Sequence, residues 1–373
     1  MDSIYSLGGI ERVVTSLCNK LISDYDITIV CQYNAKNKVN YNLNNKIKVV
    51  IIDNSLLYID KIIFFPIRTI RFLISKFKIK NVFTNKVMNF DYKVFKKHRL
   101  INFFNNQKFD YILSEGLNNN IYLSKIKNRI NSPIIGCWHS NYDNYFDGSH
   151  EVKDILSSMT KLDKTIVLSK HDAAQVKKYY NIDVNQIYNF ISNDQVDKSS
   201  LKNRTFLAVG RYDKIKGYDR LIKLFNDFYK TNNDWNLLIV GEGSERHNLQ
   251  KIIDDLNLNN CVKLTGKTND VEKYYKDASI FLMTSYGEGF PMVIVEAMKY
   301  GLPVVAYDIP VLHEMLPNDD FIISQDDSKK FVNAMIELVE DEKLRNQIGI
   351  INSKKCKDFY EDKIIKQWKE ILK

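Results

Sequence analysis

The sequence has no C-x-x-C pair, and its five cysteines (Cys18, Cys31, Cys137, Cys261, Cys356) are odd in number and far apart. That excludes a disulfide framework and a zinc ribbon and fits a reducing cytoplasm. No run approaches the roughly 18 apolar residues of a membrane span. Met1-Asp2-Ser3 opens no signal-peptide pattern, so the expected location is cytoplasmic. There is no internal repeat and no low-complexity linker. The six histidines are scattered, no cluster has metal-ligand spacing, and no bound metal is expected. Two nucleotide fingerprints are incomplete. Gly241-Glu242-Gly243-Ser244-Glu245-Arg246 begins as G-x-G but carries Arg where the dinucleotide motif needs its last Gly. Gly266-Lys267-Thr268 resembles the end of a P-loop, but Cys261 stands where the leading Gly belongs. Asp24-Tyr25-Asp26 sits where a helix hands over to a strand and reads as capping and solvation. No cofactor is expected.

What is present is a globular composition: 373 residues, 45% hydrophobic, 27% charged and 12% aromatic. The length suits two domains of about 100–200 residues each. Lys and Arg number 54 against 45 Asp and Glu, a net charge of +9. Residues 60–100 hold eleven of those cations and two acids, so the whole excess lies there and the remainder balances. General coating of nucleic acid is thereby excluded.

The second half alternates short β-rich apolar runs (205–209, 236–240, 262–265, 280–284, 303–306, 321–324) with segments of helical period (218–230, 244–256, 270–277, 291–300, 328–340). Near-continuous apolar strands separated by helices mean a parallel sheet covered on both faces. The first half reads as helix 9–23 and strands 27–32, 48–53, 110–114, 133–138 and 164–168. The predicted domains are 1–195 and 196–356, with a closing helix in 357–373 that crosses back to the first domain. Gly8-Gly9 opens a helix, as a glycine turn does after the first strand of a Rossmann-like sheet. Only seven residues precede it, so the expectation is an absent first strand and a true start upstream of Met1.

The informative segment is Thr284-Ser285-Tyr286-Gly287-Glu288-Gly289-Phe290-Pro291, running into the helical stretch 292–300. A strand ends, a glycine-flanked turn holds Glu288, and Pro291 suits a helix start. That turn lies at the sheet's carboxyl edge, where open α/β sheets bind ligands. Backbone N–H groups of Gly289 and Phe290 at a helix start suit an anion. Glu296 falls in a helix apolar nearly all round, so it is either a structural ion pair, with Lys299 as the nearest partner, or a working group. A second strand delivers Gly210-Arg211-Tyr212-Asp213-Lys214-Ile215-Lys216-Gly217 to the same edge. Arg offers a fork and Lys a point charge, as a diphosphate requires; the alternative is an ordinary basic surface turn.

Arg211 with Lys216-Gly217, followed by Glu288 and Glu296 as E-x7-E, resembles a family 4 glycosyltransferase. Ser6-Leu7-Gly8-Gly9-Ile10-Glu11-Arg12 is similar to that family's first-domain glycine loop. The likeness is strong over 204–310 and loose over 40–130. It implies an α/β GT-B fold, two Rossmann-like doubly wound domains facing a cleft. It implies sugar transfer from a UDP- or GDP-linked donor to a glycan or lipid-linked acceptor, with retention and without metal, in bacterial surface polysaccharide synthesis. By the same resemblance Arg211 and Lys216 hold the diphosphate, Glu288 faces the donor sugar and Glu296 the ribose. Gly289, Phe290 and Pro291 shape the pocket with backbone groups, and Gly9 lets the first-domain loop approach the phosphates. The family's first-domain histidine is matched by His139, whose alternative is a satisfied loop histidine.

Retention through a covalent intermediate needs an enzyme nucleophile, for which Glu288 is the candidate. A same-face route, with the leaving phosphate taking the acceptor's proton, needs none and is preferred. Residues 60–100 interleave aromatics and cations, which suits docking to an anionic membrane surface or a solvated helix with an apolar inner side. No stacking-platform fold supports nucleic acid. Two other functions share the fold: a sugar-nucleotide epimerase, which needs no acceptor, and a non-catalytic nucleotide-binding module.

Overall fold

In the computed structural model the described residues are 1, 3–5, 8–32, 41–52, 98–145, 151–268 and 270–373. The basic segment therefore lies outside them, except for its last three residues. The chain divides into two compact units: Met1–His139 with Gly148–Ile166, and Ser140–Asp147 with Val167–Lys373.

The first unit opens with the helix Gly9–Leu21. It buries Val14, Leu17 and Leu21, a helical spacing, and carries Glu11 in its first turn and Lys20 in its last, the order the helix dipole favours. Strands β1 (Thr28–Cys31) and β2 (Lys48–Ile51) pair in parallel. Their cluster includes Ile4, Val14, Ile29, Cys31 and Ile47. No strand precedes the helix among the described residues. Instead, Met1 forms one parallel rung on β1: its ammonium donates to the Val30 carbonyl at 3.1 Å, and the Gln32 amide donates to its carbonyl at 3.3 Å. Strands β3 (Ile112–Glu115), β4 (Ile134–Cys137) and β5 (Lys164–Val167) form a second parallel set. β4 is buried along its whole length, as a strand covered on both faces must be.

From Val167 onward the second unit carries the helix Lys170–Tyr180 and the two-residue strand β6 (Asn185–Gln186). Its main sheet comprises β7 (Thr205–Val209), β8 (Asn236–Val240), β9 (Val262–Leu264), β10 (Ile280–Met283), β11 (Val304–Tyr307) and β12 (Ile322–Ile323). All pairings are parallel, in the order β12-β11-β10-β7-β8-β9. The order reverses between β7 and β10, so the crevice at their carboxyl ends is the topological switch point. One face of the sheet packs Leu221, Phe225 and Phe228; the other packs Ile294, Val295 and Met298.

The boundary differs from the predicted 195. The carboxylate of Glu314 accepts the amides of Lys170 at 2.9 Å and His171 at 2.7 Å and the Tyr188 hydroxyl at 2.8 Å. These bonds tie residues 170–188 to the second unit through a carboxylate 126–144 positions away, a link no local pattern reveals. The closing helix, Glu361–Ile371, also belongs to this unit. It enters by a bridge between Tyr360 and Ile191, a residue the prediction assigned to the first domain.

Candidate active site

The site is assembled at the switch point from the turns after β7 and β10. After β7 the chain runs through a 3-10 turn, Lys214–Lys216, and reverses at Gly217, whose φ of +63° is left-handed. The helix Tyr218–Tyr229 follows. The two turns interlock through backbone. The Tyr286 amide donates to the Ile215 carbonyl at 2.8 Å, and Thr284 Oγ1 donates to the carbonyls of Gly217 at 2.9 Å and Lys216 at 3.2 Å.

This interlock places Lys216 Nζ 2.5 Å from Glu288 Oε1, with side-chain exposures of 17% and 15%. Ser285 Oγ donates to the same oxygen at 2.7 Å. The two residues are 72 positions apart, so the pair is a product of strand order. Partly desolvated, it is screened less by solvent and salt than a surface ion pair. Arg211 is different: its side chain is 72% exposed, and Nη2 lies 3.0 Å from Asp213 Oδ2. An exposed fork can turn toward an incoming anion at little cost.

Pro291 takes the cap position of the helix Met292–Lys299, one residue before the predicted first turn. Phe290 is buried against the rings of Tyr188 and Phe359, centroids 5.5 Å away in each case. Its ring is thus spent on packing, and what it can offer a ligand is backbone, as Gly289 can.

Glu296 does not pair with Lys299. Lys299 Nζ instead lies 2.9 Å from Asp194 Oδ1 and 3.2 Å from Ser192 Oγ. Glu296 Oε2 accepts the buried Tyr275 hydroxyl at 2.7 Å. Helical spacing would allow the pair, since positions three apart share a face, but each side chain is engaged by a partner outside the helix. Tyr275→Phe is expected to destabilise the protein by about 1–3 kcal/mol, since it strips a hydrogen bond from a buried carboxylate. Chemical denaturation measures this, and an unchanged midpoint would refute it.

In the first unit His139 follows β4 and Glu115 ends β3, adjacent strands in register. His139 Nε2 lies 2.5 Å from Glu115 Oε2, with Glu115 buried and His139 partly so. Burial alone would push the Glu115 carboxyl up; the hydrogen bond and charge of His139 outweigh it and hold the carboxyl below its ordinary range. The neighbouring thiols respond oppositely, Cys18 being pushed up to about 12 by burial and by Glu115. A carboxyl depressed on folding adds stability above its unfolded value, and that stability is lost as pH falls through the folded value. His139→Gln should therefore cost about 1–3 kcal/mol at neutral pH and much less in acid, which thermal melts across pH will show. Gly9 stands in open space: a Cβ built there meets nothing within 4 Å.

Sequence reasoning missed Glu115, Tyr275, Ser285 and Arg220. Glu115 leaves one signal, an acid directly after the predicted strand 110–114 and just before Gly116. Arg220 leaves none, for it reads as a surface position on an amphipathic helix. Among the described residues no group of His, Cys, Asp and Glu could hold a metal ion.

Switch-point geometry and two parallel α/β units define a protein of the GT-B fold. Residues 190–355 match the family model of glycosyl transferases group 1, so this part of the chain carries the sequence of a glycosyltransferase family. The chain is 34% identical to an uncharacterized glycosyltransferase of Haemophilus influenzae over 47% of its own length and 50% of that protein's. It is 26% identical to the amylovoran biosynthesis glycosyltransferase AmsD of Erwinia amylovora, over 68% of this chain and 73% of AmsD. It thus spans about half the length of the first of these relatives and nearly three-quarters of the second. In fold it resembles HepE of Anabaena, solved with UDP and glucose: TM-score 0.77, 16% identity, covering 100% of this chain and 97% of HepE.

Proposed function

We propose that the protein is a glycosyltransferase of bacterial surface polysaccharide synthesis. It moves a sugar from a nucleoside-diphosphate donor to a glycan or lipid-linked acceptor, with retention. The observation that carries this reading is the Lys216–Glu288 pair at the switch point, beside the start of the helix Met292–Lys299. The relatives' printed roles support it: AmsD in amylovoran biosynthesis, and a Campylobacter jejuni relative acting on a diphospho-undecaprenol substrate.

In this reading the leaving diphosphate is stabilised by the Lys216 ammonium, the Arg211 fork and backbone amides at the helix start, charges preorganised where negative charge develops. Glu288 is fixed by Ser285 and Lys216 and orients donor sugar hydroxyls. Glu296 with Tyr275 holds the ribose, Gly9 leaves room for the phosphates, and His139 supplies a hydrogen bond to the sugar. The bond from C1 to the phosphate oxygen breaks as the acceptor oxygen attacks the same face, and the departing phosphate takes the acceptor's proton. No metal or cofactor is used in this scheme.

The test is incubation with UDP- and GDP-sugars and with glycan and lipid-linked acceptors, read as nucleoside diphosphate release and glycosylated product. Anomeric proton couplings report the stereochemistry. Absence of transfer from every donor, or conversion of donor to its epimer without acceptor, sinks the reading.

Among the described residues no helix is long and apolar enough to cross a membrane. The basic aromatic segment 60–100 suits docking at the inner membrane face, where a lipid-linked acceptor resides. Flotation with anionic liposomes should carry the protein at low salt and release it at high salt. Equal flotation with neutral liposomes would remove the electrostatic basis.

A further inference from the structure

Arg220 stands in the first turn of the helix Tyr218–Tyr229, just past the Lys216-Gly217 turn. Its Nε donates to the Thr284 carbonyl at 2.8 Å, and Nη2 donates to the same oxygen. Nη1 donates to Gln325 Oε1 at 2.9 Å, and Gln325 Nε2 donates to the Asp308 carbonyl at 2.8 Å. The guanidinium carbon lies 3.8 Å from the ring centroid of Tyr286 and 4.3 Å from that of Tyr307. One planar cation therefore joins the exits of three neighbouring strands: β10 through Thr284 and Tyr286, β11 through Tyr307, and β12 through Gln325.

Thr284 and Tyr286 are also the two residues that bind the backbone of the Lys216 turn. Glu288 follows Tyr286 by two positions. The geometry points to Arg220 as the positioning residue for the Lys216–Glu288 pair: it fixes the exit of β10 so that ammonium and carboxylate meet within hydrogen-bond distance. For its consequence in sugar transfer this inference rests on the transferase reading. Arginine is required because its flat fork bonds two acceptors while lying against two aromatic rings; a lysine point charge has no planar fork to do both. A misplacement of about 1 Å at reacting groups costs up to ~10²-fold in rate.

The test is Arg220→Lys, which keeps the charge and removes the fork. Amide hydrogen exchange at Tyr286 should accelerate by about tenfold or more, while the amides of β7 keep wild-type protection. Transfer should fall by about tenfold or more, and the substitution should add nothing further in a Glu288→Gln background. Wild-type protection at Tyr286, wild-type turnover, or an equal further loss in the Glu288→Gln background would each overturn the inference. If the wild type transfers no sugar at all, the transferase reading fails, and Tyr286 exchange alone decides whether Arg220 holds the turn. If β7 loses protection as well, Gln325→Ala, which removes one support only, is measured the same way.

Discussion

Lys216→Ala is expected to lower kcat/KM for the nucleotide-sugar by about 10²–10³-fold or more while the protein stays folded. Within the proposed reaction, Lys216 is the cation held in place before the donor arrives. Arg211 is 72% exposed and paired, among the described residues, only with Asp213 beside it, whereas Lys216 is fixed by Glu288 and by a turn locked to Thr284. Removing one preorganised charge from a developing anion typically costs about 10²–10³-fold. Glu288→Gln should lose a comparable factor, and the double variant should lose less than the product of the two, since each partner holds the other. Arg211→Ala should weaken donor binding more than it slows the bound complex, because an exposed side chain must first be ordered. Steady-state kinetics on the four proteins checks this, and near-wild-type turnover by Lys216→Ala would remove Lys216 from the reaction.

Gly217→Ala is expected to destabilise the second unit by about 2–4 kcal/mol, a fall in Tm of roughly 5–15 °C. Two costs combine. The left-handed φ of +63° charges any side chain about 1–2 kcal/mol. An added Cβ also sits 2.3 Å from the Thr284 carbonyl oxygen and 2.7 Å from Arg220 Nε. The first is backbone and cannot rotate aside. Gly217→Asn separates the costs: asparagine tolerates the left-handed region yet brings the same Cβ, so it should recover only the strain share, about 1 kcal/mol, and leave the contact cost. Full recovery by asparagine would mean strain alone, and no close contact, makes Gly217 necessary.

Much of this protein was legible in its sequence, because short-range periodicity survives folding. The six runs read as strands in the second half are β7–β12 to within two residues at either end, since each is an apolar stretch bounded by helical pattern. The turn holding Glu288 and the turn holding Lys216 both fall at strand ends, as their flanking glycines and Pro291 suggest. Glu296 was legible as an anomaly, a carboxylate in an apolar helix, but its partner was not. Lys299 is three positions away and goes to Asp194, while Tyr275 is 21 away and supplies the hydroxyl.

By itself, then, the sequence determined the parallel α/β class, the strand and helix positions in the second half, and the residue types gathered at one sheet edge. All of these depend on patterns no longer than a strand and a helix. Tertiary structure alone decided which of those residues meet. It set Lys216 on Glu288, bound Glu115 to His139, tied helix Lys170–Tyr180 to Glu314, and placed Arg220 across three strand exits. Those contacts span 24 to 144 positions and arise from strand order and crossover geometry, which local spacing does not encode.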